Sequence, residues 1–155
     1  MAITILGETR CVICGELIDE KRPFRSFPAF VVNENDPIYL FSDGVCHDDC
    51  FANHYLKKVV MERLEEWEVN TGPGNRKCAV YNEEIMDPDD YLMIDHLTSD
   101  ESNPVFRYNY THLRKSHLGD WRELEKCIED IKKFKESTNW GGGYLEGLIE
   151  SLNSR

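Results

Sequence analysis

The stretch that most narrows what this chain can fold into is "CVICG" at 11–15, read together with "VCHDDC" at 45–50. Two residues between Cys11 and Cys14 let both thiolates reach one ion at about 2.3 Å while backbone N–H groups turn towards the sulfurs. Gly15 supplies the positive φ that such a turn uses. Further on, Cys46, His47 and Cys50 offer three candidate ligands for the two places left on a tetrahedron. They stand at the start of an expected helix, whose N-terminus favours a negative thiolate.

A repeat bears on that choice. When the sequence is laid on itself at an offset of 67, Cys11 meets Cys78, Glu16 meets Glu83, and Ile18 meets Ile85. Glu34 then meets Glu101, Pro37 meets Pro104, and Glu62 meets Glu129. Apolar pairs hold the register without a gap: Phe24 with Tyr91, Tyr39 with Phe106, Leu64 with Ile131, Trp67 with Phe134. Each unit reads as a Cys-containing turn, then short strands and turns, then a helix. "PIYLF" and "PVFRY" are the aromatic strand of each unit, by their composition. Leu56, Val59, Val60, Leu64 and Trp67 recur at helical spacing in the first unit, and Trp121, Leu124, Ile128 and Ile131 in the second. "NTGPGN" at 70–75 is the joint. The expected segments are a metal-binding unit at 1–70, a metal-free repeat at 75–137, and a turn with a short helix, "YLEGLIESL", at 138–155.

At this offset His47 falls on Arg114 and Cys50 on His117, both polar, while Cys46 falls on apolar Leu113. Position 46 therefore reads as a packing site, where a free Cys behaves as a small hydrophobe. The expected ligands are Cys11, Cys14, His47 and Cys50, holding one structural Zn2+ with no place left open for chemistry. A Cys46–Cys50 pair in place of His47 is the alternative. In the second unit the four positions are Cys78, Tyr81, Arg114 and His117. Arg cannot shed its proton, so no zinc is expected there.

A knuckle, a hairpin, and a helix whose first turn supplies the last two ligands resemble the treble-clef zinc finger over residues 9–69. The resemblance implies an α+β fold of two tandem treble-clef-like units, the first holding zinc and the second degenerate, with a short C-terminal helix. A second resemblance lies in "MIDHL" and "NYTHLRKSH", which look like the HNH nuclease motif. It implies His96 as general base, Asp95 as a holder of a divalent metal, Asn109 as the residue orienting the base's loop, and His117 as a metal ligand. The unit-one residues opposite Asp95 and His96 are Pro28 and Ala29, so this chemistry is not repeated.

The formal charge is −11, with 18 basic and 29 acidic side chains. An acidic surface repels phosphate, which disfavours nucleic acid as partner and favours a basic protein. No run approaches the roughly 20 apolar residues of a membrane span. The N-terminus shows no basic region before an apolar stretch, so no secretory signal is read and the expected location is cytoplasmic. The six cysteines are then reduced or metal-bound. No nucleotide-binding glycine motif and no nucleophile elbow appears. The expected function is a non-catalytic, zinc-stabilised protein-binding module of inhibitor or immunity type, with the HNH-type endonuclease as alternative.

Overall fold

The computed structural model describes residues 3–154. Met1, Ala2 and Arg155, the outer ends of the first and third expected segments, lie outside the described residues. The architecture is mixed, with two small antiparallel sheets and flanking helices. In the first half β1 (Phe24–Ser26) pairs with β2 (Val45–His47), which runs into α1 (Asp48–Ala52) and then the longer α2 (Lys57–Thr71). In the second half β3 (Tyr91–Ile94) pairs with β4 (Thr111–Arg114), and α3 (Leu124–Ser137) follows. The chain then turns through Gly142 and Gly143, both at positive φ, into α4 (Tyr144–Asn153).

Many backbone contacts of the first half recur 67 residues later. The Arg10–Leu17 bridge has its counterpart in Lys77–Glu84. The Cys11 N–H donates to Glu16 O at 2.8 Å, and the Cys78 N–H to Glu83 O at 2.8 Å. Val12 donates to Val45 O at 2.9 Å, and Ala79 to His112 O at 2.8 Å. Phe24 faces His47 in the first sheet, and Tyr91 faces Arg114 in the second. Positive φ occurs at Gly15 and Asn82, and again at Asp43 and Tyr110.

The two aromatic segments are not strands. Tyr39–Phe41 and Pro104–Tyr108 are short 3-10 turns. The acceptor two residues ahead explains the difference. Asp36 Oδ1 accepts the Ile38 N–H at 3.1 Å, and Asn103 Oδ1 accepts the Val105 N–H at 3.1 Å. Pro104 takes the first position of its turn, where its fixed φ suits a helix, and Pro37 lies in the bend just before Tyr39, whose N–H donates to Asp36 O at 2.9 Å. This local capping outweighs the β preference of Tyr, Phe and Val.

Buried apolar side chains form two clusters. One gathers Ile18, Phe27, Phe30, Phe41, Cys46, Phe51 and Val60. The other gathers Ile94, Leu97, Leu113, Ile128, Ile131, Phe134 and, from α4, Leu145, Leu148 and Leu152. Between them runs a polar seam. Asn33 Nδ2 donates to Leu97 O at 2.8 Å, and the Ser99 N–H donates to Asp36 Oδ2 at 2.6 Å. Arg63 on α2 pairs with Glu101 at 2.8 Å and lies over the Phe106 ring.

Candidate metal centre

The structure brings Cys11, Cys14, His47 and Cys50 together, with their ligand atoms all within 4.8 Å of one another. Ligands about 2.0–2.3 Å from one ion in a tetrahedron stand roughly 3.3–3.8 Å apart, so a small contraction closes the set. Among the described residues, no other group of three or more His, Cys, Asp or Glu side chains is this close.

Local chemistry sets each donor in place. Gly15 sits at φ 76°, and its N–H donates to Cys11 O at 2.9 Å, closing the knuckle. The Val12–Val45 hydrogen bond fastens the knuckle to β2, which delivers His47. The residue His47 is also the N-cap of α1, so Cys50 follows one turn later on the same side. His47 Nδ1 stands 3.5 Å from Cys14 Sγ and 4.0 Å from Cys50 Sγ, which makes it the ring nitrogen facing the sulfurs. Its buried Nε2 has no hydrogen-bond partner.

The thiols are electrostatically unequal. Burial opposes ionisation of Cys11, but backbone N–H groups of Cys14, His47 and Ile13 outweigh it and bring the thiol down to about 6. Burial and the neighbouring thiols Cys14 and Cys11 push Cys50 up to about 11. One sulfur thus ionises readily and its negative field resists the next. A divalent cation relieves that repulsion, so the donor set fits a metal ion. Arg22 lies at the rim, held by both oxygens of Asp49 at 2.9 Å, and its guanidinium reaches Cys50 Sγ at 3.5 Å.

Cys46 is not part of the group. Neighbours on a strand point to opposite faces, and Cys46 enters the aromatic cluster of Phe27, Phe41 and Phe51. Burial pushes its thiol up to about 12.

The corresponding place in the second half is filled by organic groups. Arg114 binds Glu83 at 2.9 Å and Asp90 at 2.6 Å. The Tyr81 ring meets the His117 ring edge-on, and the Tyr81 hydroxyl donates to Asp120 at 2.9 Å. His117 Nδ1 is 3.1 Å from Glu83 Oε1 and 4.0 Å from Cys78 Sγ.

The residues matched to the nuclease motif do not form one such ligand group. His96 is 1% exposed, with Nε2 3.1 Å from Ser99 Oγ and 3.5 Å from Asp36 Oδ2. Its Nδ1 is 3.4 Å from the Tyr110 hydroxyl. Burial raises the Asp95 carboxyl, and the Asp95 N–H donates to the Tyr144 hydroxyl at 3.0 Å. Asn109 braces the loop after His96. Its Oδ1 accepts the Leu97 N–H at 2.7 Å and its Nδ2 donates to Thr98 O at 2.9 Å. His117 belongs instead with Cys78, Tyr81 and Glu83. Sequence reasoning missed Asn33, Asp36 and Arg63, the polar residues of the seam. The Asp-Pro step at 36–37 was the available signal for one of them, since Asp before Pro favours a turn.

Among the described residues no helix is long and apolar enough to cross a membrane. Compared with known proteins, the chain matches no family model, no curated protein and no solved structure.

Proposed function

We propose that this chain is a zinc-stabilised, non-catalytic protein-binding module made of two tandem treble-clef-like units, the first at 1–70 and a metal-free copy at 75–137. The four-donor set of Cys11, Cys14, His47 and Cys50 carries the reading. Three sulfurs and one imidazole are the donors zinc prefers, and four protein ligands leave no site for an activated water. The hydrogen bonds recurring at 67 residues support a duplicated ancestor. The ion pairs of Arg114 and the Tyr81–Asp120 bond support a second copy that holds its shape without metal. A charge of −11 favours a basic partner, as for an inhibitor that masks a cationic enzyme surface.

Metal analysis should give one zinc per chain. Removing it with a chelator should strip amide protection from residues 11–71 and leave 76–152 protected in hydrogen exchange, because structural zinc supplies folding energy outright. Two metals per chain, or a first half indifferent to chelation, would defeat the reading.

One observation favours the HNH-type alternative. Asn109 holds the loop after His96 as that motif requires. It makes a separate forecast, plasmid cleavage with Mg2+ or Mn2+ that disappears in His96→Ala. Such cleavage would overturn the non-catalytic reading.

A further inference from the structure

Helices α2 and α3 occupy the same place in their halves, 67 residues apart, yet they are covered differently. On α3, Ile128, Ile131 and Phe134 are buried in one cluster with Leu145, Leu148 and Leu152 of α4. Lys135 pairs with Glu146 at 2.5 Å across that contact. The counterparts on α2 are Met61, Leu64 and Trp67, of which Leu64 and Trp67 are partly buried against the first cluster while Met61 stands out from it. Nothing equivalent to α4 follows α2, since the chain turns at 73–75 and leaves for the second half. Met61 is 44% exposed, and of α2's 15 residues only Val60 and Arg63 are fully buried. A trough of about 640 Å³ runs along this face, lined by Met61 and Leu64 with Lys57, Lys58, Glu65 and Glu68.

The charges are reversed as well. Where α3 offers Lys132 and Lys135, α2 offers Glu65 and Glu68. We infer that the exposed face of α2 is the seat for an α4-like amphipathic helix supplied by a partner protein, with Lys or Arg where α4 carries Glu146. This rests on the protein-binding reading above and assigns that binding a surface. The fold itself shows how such a face is closed. Leu145, Leu148 and Leu152, spaced three and four apart, lay one apolar stripe on α3. Met61 and Leu64 present the matching floor on α2. Surface ion pairs add little affinity, but they fix register and partner choice. A second copy of this chain fits less well. The lining carries Glu62, Glu65 and Glu68 against Lys57 and Lys58, Lys58 is already paired with Glu62 at 3.6 Å, and the whole chain is at −11.

The test uses the intact zinc-loaded chain and two synthetic peptides. One is residues 143–154, and the other is the same segment with Glu146→Lys and Glu150→Lys. In an amide-resolved NMR titration the lysine peptide should shift Met61, Glu62, Leu64, Glu65 and Glu68 saturably, and the native peptide should bind about tenfold more weakly. The double variant Glu65→Lys, Glu68→Lys should reverse that preference, and Met61→Asp should abolish both. Shifts confined to other surfaces, no shifts, or an unchanged preference in the double variant would overturn the seat. So would a dimer that Met61→Asp dissociates, since a second copy would then be the occupant. The protein-binding reading falls on a different result, the plasmid cleavage described above, which this titration does not touch.

Discussion

Cys46, His47 and Cys50 lie within five residues, and the backbone alone separates their roles. His47 alternates away from Cys46 on β2, and Cys50 comes round one turn of α1 to the side His47 faces. The consequence is measurable in variants. On the proposed zinc site, Cys50→Ser should abolish stoichiometric metal binding, because an oxygen replaces one of the four donors. Cys46→Ala should keep one zinc per chain and lose about 1–2 kcal/mol of stability through the missing sulfur contact in the aromatic cluster. Metal content and urea unfolding of both variants check the pair. Zinc lost from Cys46→Ala and kept by Cys50→Ser would reverse the assignment.

At the level of elements, the knuckle turn depends on one left-handed residue in each half. Gly15 takes it at φ 76° and Asn82 at φ 57°. A Cβ added at Gly15 would meet nothing within 4 Å, so the cost of Gly15→Ala is conformational alone. We expect about 1–2 kcal/mol from that change, the ordinary penalty for an L-residue in this region. Asn82→Gly should alter stability by less than about 0.5 kcal/mol, since Asn already tolerates the conformation. Thermal unfolding of the two variants would show it. The 3-10 turns belong to the same scale. The segments at 38–41 and 105–108 carry strand composition, but the Asp36 hydrogen bond to the Ile38 N–H and the Asn103 cap decide their form. Propensity over four residues is worth less than a satisfied side-chain acceptor next to proline.

At the scale of the whole molecule, the seam joins two small cores through buried polar groups. Burial works against ionisation of Asp36, but His96 and the N–H groups of Ile38 and Ser99 hold its carboxyl below the usual range. A depressed carboxyl contributes stability that is present above its unfolded value of about 4. That contribution fades as pH falls through the lower folded value. Asp36→Asn should therefore cost about 2 kcal/mol at pH 7, and the difference from the natural chain should shrink as pH drops below about 4. Denaturant titrations at several pH values read this directly, and a gap that stays constant down to pH 2 would show that the charge is not the cause. The sequence by itself pointed to the Cys11, Cys14, His47 and Cys50 donors, the bodies of α2, α3 and α4, and the 67-residue offset, because knuckle spacing, apolar periodicity and turn residues act over short stretches; it ran one helix through the break at 53–56 and counted Trp121 with α3, where the chain instead turns. Only the tertiary structure decided that Asp36 meets His96, that α4 covers α3, and that α2 is left with Met61 in water. Those outcomes depend on which surfaces two small cores turn towards each other, and buried area between residues far apart in the chain sets that choice, with no local pattern to record it.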